Sequence, residues 1–170
     1  MPNPCALPAL NKLAELGIAY TLYEHPPAHT MEDCEGIGGD IGAAHFKNLF
    51  LTDRANSVFF LVLLSASKQF RTGPISRQLG ASRLSFCTAE QLYDKLKLLP
   101  GAVTPLAVLN DAAHEVRVAI DKDIMTHEWL CMHPLVNDAT VAIARMDLLR
   151  YLQACGCAYQ YITAQEAGEG

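Results

Sequence analysis

The apolar and polar positions divide this chain into short strands and shorter helices. Leu7, Leu10, Leu13, Ala14 and Leu16 recur near helical spacing in "LPALNKLAELG", and Gly17 is suited to end that helix. In "IAYTLYEH" (18–25) Ile18, Tyr20 and Leu22 alternate with smaller or polar neighbours, which predicts a strand stopped by Pro26 and Pro27. Thr30 can cap a short helix from Met31 to Glu35, with Glu32 and Asp33 at its positive end, before the glycine-rich loop "GIGGDIG". "HFKNLFLTD" (45–53) and "SVFFLVLLS" (57–65) are apolar runs around the turn "RANS", which predicts a hairpin.

Further along, "ISRQLG" (75–80) reads as a short helix after Pro74, and "RLSFC" (83–87) as a strand. Thr88 and Gln91 form a capping box that opens a helix to about Leu96. "VRVAID" (116–121) and "TVAIAR" (140–145) alternate as strands. Asp147 is expected to cap "LLRYLQACG", "AYQYI" (158–162) to close the sheet, and the tail "TAQEAGEG" to fray. Strands outnumber helices, and most helices fall between hairpin-like pairs. The expected fold class is α+β, a mixed and largely antiparallel β-sheet flanked by helices. With no internal repeat, low-complexity tract or linker, residues 1–170 read as one domain with its core at about 7–162.

Composition narrows the class. A chain that is 51% hydrophobic and 18% charged is globular rather than disordered. No apolar run reaches the ~18 residues of a membrane span, and "MPNPCALPAL" lacks a basic segment ahead of an apolar one, so a cytoplasmic location is expected. The six cysteines show no C-x-x-C spacing; Cys155 and Cys157 form only a C-x-C, so reduced structural thiols are expected. The net charge of −5 argues against a nucleic-acid partner until it is divided along the chain. Residues 68–97 carry six basic side chains against two acidic ones, a basic segment inside an acidic protein. By itself that segment fits a solvated helical face as well as an anion-binding one.

Three places are chemically unusual. Lys47 lies inside "HFKNLFL" on the strand face of Leu49 and Leu51. It is either an end-of-strand lysine that snorkels to water or an amine that meets an anion. In "PGAVTPLAVLND" Gly101 allows close approach or unusual backbone angles, while Pro105 fixes its own φ and biases Thr104 toward an extended form. The loop is a connecting turn or a rigid cradle of backbone groups. His133, pinned by Pro134 with Asn137 and Thr140 nearby, is a structural histidine or a site residue. His25 and His29 are four apart, but Pro26 and Pro27 break the helix a metal pair would need. No G-x-S-x-G elbow, P-loop, dinucleotide fingerprint or H-E-x-x-H appears.

Taken together, "KNLFLTD", "RLSFCTAEQL", "PGAVTPLAVLND" and "MHPLVNDATVAI" occur in the order and at about the separations of the YbaK/prolyl-tRNA-synthetase-associated editing domains. The resemblance runs from about Leu10 to Tyr161 and is strongest to the freestanding branch that hydrolyses mischarged alanyl-tRNA(Pro). It implies an aminoacyl-tRNA deacylase with Lys47, Gly101 and His133 in catalysis, water as the nucleophile, and no metal or organic cofactor. It further implies that Ala102, Val103, Thr104, Pro105, Met132 and Asn137 contact the substrate. Val103, Leu106, Met132 and part of segment 25–31 are expected to line the amino-acid pocket. The implied partners are the tRNA(Pro) acceptor end and prolyl-tRNA synthetase, with Lys68, Arg71, Arg77 and Arg83 following the acceptor-stem phosphates. Gly156-Cys157 where the family often has Gly-His, the segment "SASKQFRTGPISRQLG" and His29 depart from the family pattern. Three other readings are a deacylase of the same fold for cysteinyl-tRNA(Pro) or another mischarged tRNA, a tRNA-binding module without turnover, and a structural or protein-interaction domain.

Overall fold

A strand buried on both faces organises the molecule. The computed structural model describes residues 2–168. Along Phe59–Ser65 (β3), Phe59, Leu61 and Leu63 enter one apolar cluster while Phe60, Val62 and Leu64 enter another. A continuous apolar run, rather than alternation, is what such a strand requires. Its hairpin partner, Phe46–Thr52 (β2), divides likewise: Phe46 and Phe50 face the first cluster, Leu49 and Leu51 the second.

Thr21–Glu24 (β1) precedes this hairpin, and Lys68–Gln69 (β4) follows it. Ser85–Phe86 (β5), Val116–Asp121 (β6), Trp129–Met132 (β7), Ala139–Ala144 (β8), Tyr159–Ile162 (β9) and Gln165–Glu166 (β10) complete the strands. The five-stranded sheet has the order β5-β2-β3-β6-β9, antiparallel up to β3 and parallel from β3 through β6 to β9. A three-stranded antiparallel sheet, β1-β8-β7, meets it through the bridge between Ala44 and Leu130. The expected α+β class with mixed pairing is therefore present, divided among sheets instead of forming one.

The helices are Leu7–Glu15 (α1), Thr72–Leu79 (α2), Ala89–Leu96 (α3) and Arg145–Ala154 (α4). The first cluster lies beneath α1, α3 and α4, and the second beneath α2. The capping box of Thr88 and Gln91 forms as expected. Thr30 Oγ1 accepts from the Asp33 amide at 3.2 Å, although the helix there is a single 3-10 turn, Glu32–Cys34.

Some expectations are corrected. Asp147 does not cap α4: β8 runs directly into the helix at Arg145, and Asp147 pairs with Arg150 at 2.6 Å in its first turn. Helix α2 begins ahead of Pro74, which falls in the first turn where no intrahelical donor is needed. Strand β7 had no expected counterpart, since "EWLCM" shows no clear alternation. The tail does not fray through 166, because β10 pairs with β4 and Lys68 Nζ donates to the Ala164 carbonyl at 2.9 Å. Residues 169 and 170 lie outside the described chain. Among the described residues no helix is long and apolar enough to cross a membrane.

Candidate active site

Where β2, β7 and the loop 99–104 meet, a cavity of about 300 Å³ opens to the surface. Lys47, Gly101, Val103, Met132 and His133 all line it, although they come from three separated stretches of chain.

Lys47 is the second residue of β2. Its Nζ donates to the Lys68 carbonyl at 2.6 Å, and no carboxylate among the described residues is in ion-pair range. An ammonium carries three N–H groups, so this bond leaves two for another acceptor. Beside it, β5 covers only Leu51 and Thr52, and the Cys87 amide donates to the Phe50 carbonyl at 2.9 Å. By strand alternation the backbone of Asn48 faces the same uncovered edge. Asn48 itself lines the cavity, and its buried Oδ1 has no partner. An orphaned acceptor beside a hollow is costly unless a donor arrives.

Gly101 has φ +92, a region L side chains rarely adopt, and a Cβ there would sit 3.6 Å from Asn137 Nδ2 and 3.7 Å from His29 Nδ1. The glycine is required chiefly by its backbone angle. Of the remaining G-x-x-x-P loop only Val103 reaches the cavity wall. Ala102, Thr104 and Pro105 are buried in the protein and do not line the cavity, which leaves the loop backbone, not these side chains, to meet a substrate. Thr104 Oγ1 accepts from the Leu106 amide at 3.3 Å and starts the 3-10 helix Pro105–Asn110, with Pro105 in its first turn. Leu106 is likewise a core residue, its carbonyl accepting from the Tyr151 hydroxyl at 2.7 Å. Asn137 stands behind Gly101, and its carbonyl accepts from the Ala28 amide at 2.8 Å, which ties segment 25–28 to the His133 loop.

His133 Nδ1 lies 2.9 Å from the Ala139 carbonyl. A carbonyl only accepts, so Nδ1 carries the proton and Nε2 presents its lone pair. Burial lowers the His133 pKa; the Ala139 bond opposes that shift, and His25 and His45 add smaller depressions. The neutral ring is thereby favoured. His25 is organised the same way, with Nδ1 donating to the Pro26 carbonyl at 2.8 Å and Nε2 accepting from Thr140 Oγ1 at 2.9 Å. Its ring centroid is 6.3 Å from that of His133. His29, His45, Cys34 and Cys131 complete much of the wall. Burial pushes the Cys131 thiol up to about 12 and raises Cys34 as well, so neither supplies a thiolate near neutral pH. Among the described residues no group of three or more His, Cys, Asp or Glu is arranged to hold a metal ion.

The basic segment separates. Lys68 is 6% exposed and pairs with Asp123 at 2.8 Å and Glu166 at 3.9 Å, so its expected phosphate contact is corrected. The β4–β10 pairing encloses it. Arg71 is half-buried at the start of α2, while Arg77 and Arg83 are exposed. Asn48, His45 and Thr140 also line the cavity and had not been expected there, whereas His29 falls in segment 25–31, which had. Only Asn48 carried a local signal, as a polar residue within an apolar strand.

Comparison with known proteins identifies the family. Residues 25–151 match the family model described as the aminoacyl-tRNA editing domain. The prolyl-tRNA editing protein ProX of Acetoanaerobium sticklandii is 36% identical over 151 residues, spanning 89% of this chain and 92% of that protein. The prolyl-tRNA synthetase associated domain-containing protein 1 of Danio rerio is 35% identical over 143 residues, 83% of this chain and 77% of the relative. A crystal structure described as a candidate trans-editing enzyme for prolyl tRNA synthetase superposes with a TM-score of 0.73 at 18% identity, covering 98% of this chain and all of that one. The chain belongs to the aminoacyl-tRNA editing domain family, whose members hydrolyse mischarged aminoacyl-tRNA.

Proposed function

We propose that this protein is a trans-editing deacylase for alanine mischarged onto tRNA(Pro). The observation that carries the reading is the convergence of Lys47, Gly101, Val103, Met132 and His133 on one hollow of about 300 Å³. The tRNA 3′ end enters over the uncovered edge of β2. The two remaining N–H groups of Lys47 meet the ribose or terminal phosphate and favour negative charge on the tetrahedral intermediate. The loop at Gly101 lets the ester approach the backbone closely. The Nε2 lone pair of His133 and the unpartnered Oδ1 of Asn48 are acceptors of the kind that hold an α-ammonium group or a ribose hydroxyl. Water adds to the ester carbon, the bond from that carbon to the ribose oxygen breaks, and the water proton passes to the departing oxygen. The substrate's neighbouring hydroxyl can relay that proton, so no protein base is required.

Val103 and Met132 form an apolar wall suited to a small side chain. A synthetase site built for proline rejects a smaller apolar competitor by only ~10–200-fold through hydrophobic contacts, so a second, smaller sieve serves fidelity. The setting that follows is cytoplasmic, alongside prolyl-tRNA synthetase and with the tRNA(Pro) acceptor end as partner. Hydrolysis of alanyl-, cysteinyl-, seryl- and prolyl-tRNA(Pro) measured in parallel tests the proposal. Preference for the alanyl ester with prolyl ester spared is the expected result. Preference for the cysteinyl ester overturns the alanine assignment, and no hydrolysis of any ester overturns the activity.

A further inference from the structure

Phe86 is 61% exposed, whereas Leu84, two residues earlier on the same face, is 1% exposed. Phe86 pairs with Leu51 across β5 and β2, which places it on the face that Lys47 and Leu49 share. Leu51 and Lys47 are four residues apart on one strand, so the ring lies ~13 Å along the sheet from the lysine position, within reach of a short run of single-stranded nucleotides. Phe70 stands beside that ring. It directly follows β4, whose Lys68 carbonyl holds the Lys47 amine, and it meets Phe86 edge-on with ring centroids 5.6 Å apart at 66°.

The backbone under these rings is fixed. Thr72 Oγ1 donates to the Leu84 carbonyl at 2.7 Å, and the Leu84 amide donates to Ser76 Oγ at 3.0 Å, which fastens the entry to β5 against α2. Exposed Arg77 lies on α2 and exposed Arg83 just before β5, and among the described residues no carboxylate lies in ion-pair range of either. An exposed aromatic with free guanidinium groups nearby, continuous with the cavity edge, has the composition of a single-strand nucleic-acid surface.

We propose that Phe86, braced by Phe70, is a base-stacking platform for the unpaired nucleotides preceding the terminal adenosine of the substrate. Aromatic stacking tolerates any base, so the platform supplies affinity and sets the reach of the 3′ end into the cavity without reading sequence. The inference rests on the deacylase reading above.

Its test compares wild type with Phe86→Ala and Phe86→Tyr on two esters: an alanyl RNA hairpin with an unpaired 3′ end, and 3′-O-alanyl-adenosine, which has no upstream nucleotide. Phe86→Ala should lower kcat/KM on the hairpin roughly tenfold or more and leave the short ester unchanged, with Phe86→Tyr near wild type. Binding of the uncharged hairpin, measured directly, should weaken by a similar factor. That arm reads the platform even if no ester is cleaved, so the failure of the deacylase reading is distinguishable from failure of this one. Equal losses on both esters, or unchanged hairpin binding, overturn the platform. So does a dimer in sedimentation that Phe86→Ala dissociates, which would give this surface to a second copy of the chain.

Discussion

Lys47 donates its hydrogen bond to the backbone carbonyl of Lys68, while the amine of Lys68 turns away to Asp123 at 2.8 Å. Two lysines that look alike in sequence thus divide the work. One is held at a cavity with donors to spare, and the other closes the β4–β10 strand pair beside it.

Replacing Lys47 with Ala should lower deacylation kcat/KM by about 10²–10³-fold, the usual loss of a principal oxyanion donor. Its stability should change little, because no ion pair is broken. Steady-state kinetics beside thermal melting checks both halves, and retained turnover would remove Lys47 from the mechanism.

Lys68→Met should destabilise the fold by about 1–3 kcal/mol, less than for a fully buried pair because Asp123 is about half-exposed. The pH dependence follows from the two shifts. Lys68 lowers the Asp123 pKa, so that contribution is present above the unfolded carboxylate value and is lost as pH falls through the folded one. Asp123, through its hydrogen bond, raises the Lys68 pKa, so its contribution is present below the unfolded lysine value and is lost as pH rises through the folded one. The wild-type advantage in melting temperature should therefore be a plateau across neutral pH. A flat difference extending into strong acid would contradict the pairing.

Gly101→Ala should cost about 1–2 kcal/mol in backbone strain at φ +92, with no steric clash to add to it. Activity should fall because the loop must shift to relieve that strain. Denaturant unfolding and kcat/KM together test this, and a silent substitution would show that the loop geometry is unimportant.

Burial lowers the His133 pKa, so the neutral ring persists to a pH below the ordinary histidine value. The acid limb of the kcat/KM profile should lie below about pH 6.5. His133→Asn should remove that limb while lowering the plateau. An unchanged limb in the variant would assign it to another group.

Asn48→Leu should leave stability unchanged or raise it by ~1 kcal/mol, since it removes an unpartnered buried acceptor. At the same time it should reduce kcat/KM. A variant that is destabilised with full activity would make Asn48 a structural residue.

Much of the architecture was already legible along the chain. The β2–β3 hairpin, the capping box at Thr88 and the helix ended by Gly17 all depend on short-range pattern, and local patterns are written in neighbouring residues. Lys47 also stood out locally, as a charged group in an apolar strand. Strand β7, the tail pairing and the burial of Lys68 did not, because each depends on a partner brought from far along the sequence. The division of the G-x-x-x-P loop is of the same kind: which of its residues face the cavity depends on the packing of the 3-10 helix that follows. The sequence by itself therefore determined the elements and the residues whose chemistry is out of place. Only the tertiary structure decided which of those residues share a cavity, because desolvation and hydrogen-bond satisfaction are properties of surroundings that distant segments create.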